Sequence, residues 1–174
     1  ATPAFAEDGL TANVAVVSKY KYRGQDQSDV SKQSVPAIQG GFDYTMGGLY
    51  LGNWNSSIGF AGGTEMDFYG GYKGEIVKDL GYDVGLLQYY YPGSGASSAN
   101  TTELYGALSW SILSFKYSHV VSKDYFGLGN ATGTGAKGRG TGYFDLSANY
   151  EVMPSLTLNG HVGFTRLAGE LKDA

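Results

Sequence analysis

The sequence predicts an all-β fold, an antiparallel up-and-down transmembrane β-barrel. Three observations predict it: apolar residues recur with a period of two, connections alternate between long and short, and the composition is rich in Gly and Tyr but poor in charge. Of 174 residues, 28 are Gly and 15 are Tyr, and 16% are charged, against about 25% in an ordinary soluble domain. No run approaches the roughly 18 consecutive apolar residues of a membrane helix. Mean hydropathy is only −0.21. A transmembrane strand escapes that average, because only alternate side chains meet lipid.

Composition also excludes function classes. With 12 basic and 16 acidic residues the net charge is −4; a nucleic-acid partner would call for a basic face, so none is expected. The absence of Cys excludes disulfide frameworks, cysteine zinc sites and thiol nucleophiles. The length suits one domain. Ala4-Phe5-Ala6 ahead of Glu7-Asp8 has the small-residue form of a signal cleavage site. Residues 1–8 therefore read as a signal-peptide remnant or mature N-terminal tail, and 9–174 as the barrel domain.

The first strand is expected from Leu10 to Arg23. Leu10, Ala12, Val14, Val16, Ser18, Tyr20 and Tyr22 share one side; Thr11, Asn13, Ala15, Val17, Lys19, Lys21 and Arg23 share the other. The second carries Ile38, Gly40, Phe42 and Tyr44 against Gln39, Gly41 and Asp43. In the third, Tyr50, Gly52, Trp54 and Ser56 form the apolar set against Leu51, Asn53 and Asn55. The fourth sets Met66, Phe68, Gly70, Tyr72 and Gly74 against Glu65, Asp67, Tyr69, Gly71, Lys73 and Glu75. Then come Tyr82–Gln88, Glu103–Trp110, Leu113–Ser118, Tyr143–Glu151 and Thr157–Phe164, each alternating in the same way. That makes about nine strands of roughly 8–13 residues, longer than the usual ~5–6 and suited to a tilted bilayer crossing.

The links take turns in length. Gly24–Ser34, Ser57–Gly63, Pro92–Thr101 and Lys123–Gly140 are long. Met46-Gly47-Gly48, Val77–Leu80, Ser111-Ile112 and Met153–Ser155 are short. In an antiparallel meander successive links fall on opposite rims. One rim then holds every long loop, as in outer-membrane barrels with extracellular loops and periplasmic turns.

Ser18–Gly24, Gln27-Ser28-Asp29 and Pro36–Tyr44, followed by Gly52-Asn53-Trp54-Asn55, Glu65–Tyr72, Tyr82–Gly85, Tyr89–Gly93 and Glu103-Leu104-Tyr105, resemble in order the TorF family of porins. The resemblance implies an outer-membrane β-barrel of Gram-negative bacteria that passes small solutes, with about twelve strands in a complete member, fewer than the 16–18 of open porins. Nine is odd, whereas such bacterial barrels close with an even number. Either a strand is wrongly split, or closure needs another copy, or, as the resemblance favours, the chain lacks the family's C-terminal strands.

The expected lumen-lining set is Lys19, Lys21, Arg23, Asp43, Glu65, Asp67, Lys73, Asp83, Glu103, Lys116, Asp145, Glu151 and His161. Two readings of it stay open: a charged pore that selects solutes, or an interior filled by paired charges. Tyr20, Tyr22, Tyr44, Tyr50, Trp110 and Tyr150 are the expected aromatic girdle at the membrane interfaces. Gly133–Gly138 matches G-x-G-x-x-G but lies in a loop with no helix to follow, so nucleotide binding is not expected. His119 and His161 stand on different strands with no carboxylate at a chelating spacing, and no G-x-S-x-G occurs. No catalytic, cofactor-binding or metal residue is expected.

The function these readings favour is a non-enzymatic, porin-like outer-membrane channel for passive diffusion of small polar solutes or ions. The alternative is a plugged structural barrel whose long loops bind external partners. A soluble lipocalin-type barrel is a third reading. In the first two the partner is the outer-membrane lipid bilayer. Homo-oligomerisation stays open.

Overall fold

The computed structural model describes residues 8–28 and 35–173, so Ala4-Phe5-Ala6 lies outside the described residues. One antiparallel sheet of nine strands dominates. It contains β1 (Gly9–Val17), β4 (Ala37–Met46), β5 (Leu49–Ser57), β6 (Thr64–Val77), β7 (Leu80–Tyr90), β8 (Thr101–Trp110), β9 (Leu113–Val120), β10 (Gly142–Met153) and β11 (Leu156–Arg166), in that order. The short strands β2 (Lys21–Tyr22) and β3 (Gln25–Asp26) form a separate hairpin. A single-turn helix, α1 (Leu128–Ala131), sits in the longest loop. Among the described residues no helix is long and apolar enough to cross a membrane.

The sheet is a pure meander, and tight turns join β4 to β5, β6 to β7, β8 to β9 and β10 to β11. All four turns lie on one rim, and the long links lie on the other. Gly47, Asp79, Ser111 and Ser155 take positive φ in these turns (60°, 67°, 53° and 70°), as tight hairpins require. The sheet does not close among the described residues: β1 and β11 are its edges. It is nonetheless strongly curved. Thr11 on β1 and Lys116 on β9 line the same cavity, although five strands lie between theirs in the sheet.

Curvature gives the sheet an outer and an inner face, and the period of two assigns residues to them. Leu10, Val14, Ile38, Phe42, Leu51, Phe68, Leu86, Leu108, Phe115, Leu146 and Val162 point outward and are exposed. The buried residues of the inner face are mostly polar: Thr45, Ser56, Glu65, Asp67, Thr101, Glu103 and Ser118. This inverts the arrangement of a water-soluble domain.

Two expectations about faces are corrected. The first strand stops at Val17, paired with Ala37, instead of running to Arg23. Pro36 precedes Ala37, and proline has no N–H to continue the ladder. The chain instead turns back through a hairpin in which Tyr22 faces Gln25. Arg23 and Gly24 take φ of 47° and 80° at its centre, the signature of a type I′ turn. The second correction concerns β5. The two-residue turn pairs Met46 with Leu49 and Thr45 with Tyr50. Residues directly opposite share a face, so Leu49 and Leu51 point outward, and Tyr50, Trp54 and Ser56 point inward.

Candidate functional site

The inner face has two regions. Toward the loop rim, residues 18–28 fold across the sheet and are tied to it by polar contacts. Arg23 sits at the hairpin tip and donates two parallel hydrogen bonds to Glu103 on β8, both 2.7 Å. Their side chains are 10% and 2% exposed, which makes this a buried bidentate pair. The same guanidinium lies 4.2 Å from the ring centroid of Tyr143 on β10 and 4.8 Å from that of Tyr22. Tyr20 donates to Glu65 Oε1 at 2.9 Å, and Tyr91 donates to Glu65 Oε2 at 3.0 Å. The hydroxyls of Tyr22 and Tyr89 meet at 2.5 Å. Phe126, from the longest loop, packs edge-on against Tyr22, Tyr89 and Tyr91.

Burial raises the pKa of the Tyr20 phenol, and the neighbouring Glu65 carboxylate adds to the shift. Burial works against the Arg23 charge, but the hydrogen bonds to Glu103, together with the electrostatic attraction of Tyr22, Glu103 and Tyr89, more than offset it, so the guanidinium stays charged. At the outer end of the segment Lys19 pairs with Asp26 at 2.8 Å. That hydrogen bond, with one from the Ser28 backbone, holds Asp26 below the usual aspartate value. Asp67 lies among these groups on β6, buried, and its Oδ1 has no partner among the described residues.

Toward the turn rim the inner face lines an open cavity of 480 Å³. Its wall includes Asp43, Asp83, Lys73, Lys116, Tyr50, Tyr69 and Tyr105. Tyr69 donates to Asp43 Oδ1 at 2.6 Å. Tyr50 donates to Asp83 Oδ1 in a short bond, and Tyr105 bonds to Tyr50. The Lys116 ammonium lies 3.9 Å from the ring centroid of Tyr105.

The expected lumen set is therefore split. Asp43, Lys73, Asp83 and Lys116 converge on the cavity. Glu65, Asp67 and Glu103 lie under the inward segment, with Arg23 above them. Asp145 accepts from Ser147 Oγ and lies 3.2 Å from His161 Nδ1, beside the edge strand. Glu151 is exposed at the turn end of β10. Lys19 and Lys21 are exposed on the hairpin segment rather than on a long first strand. Of the expected girdle, Tyr44, Trp110 and Tyr150 are exposed on the outer face near the turn rim. Tyr20, Tyr22 and Tyr50 are corrected to the inner face, where their hydroxyls bond Glu65, Tyr89 and Asp83.

Sequence reasoning missed the inner tyrosines Tyr69, Tyr89, Tyr91, Tyr105 and Tyr143. A signal existed. Gly52 faces Tyr69 and Gly85 faces Tyr105 across their ladders. A Cβ at Gly52 would sit 2.2 Å from the Tyr69 ring, and one at Gly85 would sit 2.5 Å from the Tyr105 hydroxyl. Glycine leaves room for a ring lying along the sheet. In the longest loop Lys137 donates to Asp124 at 2.9 Å, and the Gly133–Gly138 stretch follows α1 instead of preceding a helix. No group of three or more metal-ligating side chains occurs among the described residues.

Comparison with known proteins adds one assignment. A family model described as a bacterial protein of unknown function (Gcw_chp) matches residues 2–174. The chain belongs to this family. No curated protein and no solved structure matches the chain. For this Gcw_chp member the site geometry has to carry the functional reading. Among the described residues the inner face presents acidic, basic and hydroxyl groups that can bind polar ligands.

Proposed function

We propose that this chain is the wall of an outer-membrane β-barrel that lets small polar solutes or ions diffuse passively, in the manner of the TorF porins it resembles. The observation that carries the reading is the outer face. Across the nine strands its outward positions hold no Asp, Glu or Lys, and Arg166 stands at the loop-rim end of β11. Most of the other outward positions are apolar, with Leu, Val, Ile and Phe exposed as a hydrocarbon-facing surface would be, and uncharged polar residues such as Asn53, Asn55, Gln88, Thr102 and His119 share the face. A soluble protein rarely exposes so continuous an apolar surface. Tyr44, Trp110 and Tyr150 are exposed at the turn rim, where amphipathic rings sit well at the headgroups. In this reading the long loops are extracellular and the turns periplasmic. The β1 and β11 edges must be paired to close the barrel, because unpaired backbone groups are not tolerated in lipid.

A second reading has its own support. Residues 18–28 cross the inner face and are anchored by the Arg23–Glu103 pair, which favours a plugged barrel whose loops act outside. Single-channel recording of the folded full chain in a planar bilayer separates the two. The channel reading expects discrete, reproducible current steps. Silence from inserted, folded protein overturns it in favour of the plugged barrel.

A further inference from the structure

The cavity near the turn rim holds four charged groups, two of each sign: Asp43, Asp83, Lys73 and Lys116. Each carboxylate uses Oδ1 to accept a phenol, Asp43 from Tyr69 and Asp83 from Tyr50. Because Tyr50 gives its only hydroxyl proton to Asp83, Tyr105 must be the donor in the Tyr105–Tyr50 bond. All three phenolic protons are thus committed. What remains free, among the described residues, is Oδ2 of each aspartate and the ammonium group of each lysine. Neither lysine pairs with a carboxylate there; each lies against a ring instead, Lys116 on Tyr105 and Lys73 near Tyr50.

The four charges form no ion pair among themselves, even though Lys73 and Asp83 face each other across the β6–β7 ladder, and their hydrogen-bonding capacity of both kinds is open to a ligand that bridges them. A lone anion would satisfy the lysines and face the aspartates; a lone cation would do the reverse. An uncharged solute would leave both signs unpaired. A molecule with one charge of each sign pairs with both and keeps the total at zero, which limits the cost of removing charge from water. The volume, 480 Å³, falls in the range of about 300–1,000 Å³ usual for small-molecule sites. We propose that this cavity binds a small zwitterion bearing one carboxylate and one ammonium group, of the amino-acid class. The proposal rests on the lumen reading for the route by which the solute arrives, but its binding chemistry is local.

The test is isothermal titration calorimetry on the full chain folded in detergent, with three probes of matched size: L-alanine, propionate and ethylammonium. The expected result is saturable binding of L-alanine, with the two singly charged probes about tenfold weaker or more, the scale of one lost charged hydrogen bond. Lys116→Met and Asp83→Asn should each weaken L-alanine binding by about tenfold. Asp83→Asn should also narrow the gap between L-alanine and propionate, whereas Leu86→Val on the outer face should change nothing. Propionate or ethylammonium binding as tightly as L-alanine overturns the proposal. So does absence of L-alanine binding by protein that keeps its β-sheet circular dichroism and its unfolding midpoint. L-alanine binding by a protein silent in the planar bilayer supports this proposal and overturns the channel reading alone.

Discussion

Arg23 has φ of 47°, a region that costs a non-glycine residue roughly 1–2 kcal/mol. Its bidentate bond to buried Glu103 holds it there. Removing one member of such a pair leaves a buried charge, typically worth about 3–5 kcal/mol. Glu103→Gln is therefore expected to lower stability by about 3 kcal/mol, read as a fall in the urea midpoint. The double variant Arg23→Met, Glu103→Leu should recover most of that loss; no recovery would mean that the pair itself is not the source. Asp26 offers a test in pH. Its folded value is depressed by Lys19 and the Ser28 N–H, so its contribution is present above the unfolded aspartate value and disappears as pH falls through the folded one. Hydrogen exchange at Ser28, corrected for the intrinsic rate, is expected to quicken on acidification through that window. In Asp26→Asn the change should vanish.

Strands in this chain are organised by what faces what across each ladder. A Cβ at Gly85 would lie 2.5 Å from the Tyr105 hydroxyl and 2.7 Å from the Gly70 carbonyl oxygen, whereas one at Gly160 meets nothing within 4 Å. Gly85→Val is expected to destabilise by about 1–3 kcal/mol through overpacking, and Gly160→Val by far less. Comparable losses at the two sites, in urea titrations, would deny Gly85 its role as the seat of the Tyr105 ring. The same cross-ladder logic shows what the sequence could reveal. Alternation is a property of one strand, so the faces of β6, β7 and β8 were legible: Glu65, Asp67 and Lys73 separate cleanly from Met66, Phe68 and Tyr72. The β5 face depends on the turn before it. The Gly47-Gly48 connection sets Tyr50 opposite Thr45, and no pattern within residues 49–57 carries that information. Likewise Lys19, Lys21 and Arg23 alternate like strand residues, but their segment leaves the main sheet and pairs only with Gln25-Asp26 in its own short hairpin, and ladder bonds rather than alternation make a strand. The cavity was legible as a parity class, Asp43, Lys73, Asp83 and Lys116. Tyr69 fell in the same class, but its role as a partner of Asp43 was not legible, because Tyr69 and Tyr105 serve as β-formers and hydrogen donors at once.

At the scale of the molecule the decisive property is an apolar exterior around a polar interior. Leu86 is 43% exposed near the middle of β7. If this surface faces hydrocarbon, Leu86→Arg costs about 2–4 kcal/mol near the bilayer midplane, measured as reduced folding into lipid vesicles. If it faces water, the substitution should be neutral and should improve solubility. The meander has a kinetic meaning as well. Apart from the β2–β3 insertion, each strand's partners are the main-sheet strands before and after it in the chain, so four tightly closed hairpins can form locally before they meet. Within each of these hairpins the sequence separation between paired residues is small, and the entropy lost on closing it is correspondingly modest. The chain can assemble by adding one hairpin at a time to a growing edge. That sequential route leaves residues 18–28 as the piece whose attachment, through Glu65 on β6 and Glu103 on β8, has to wait until the middle of the sheet exists.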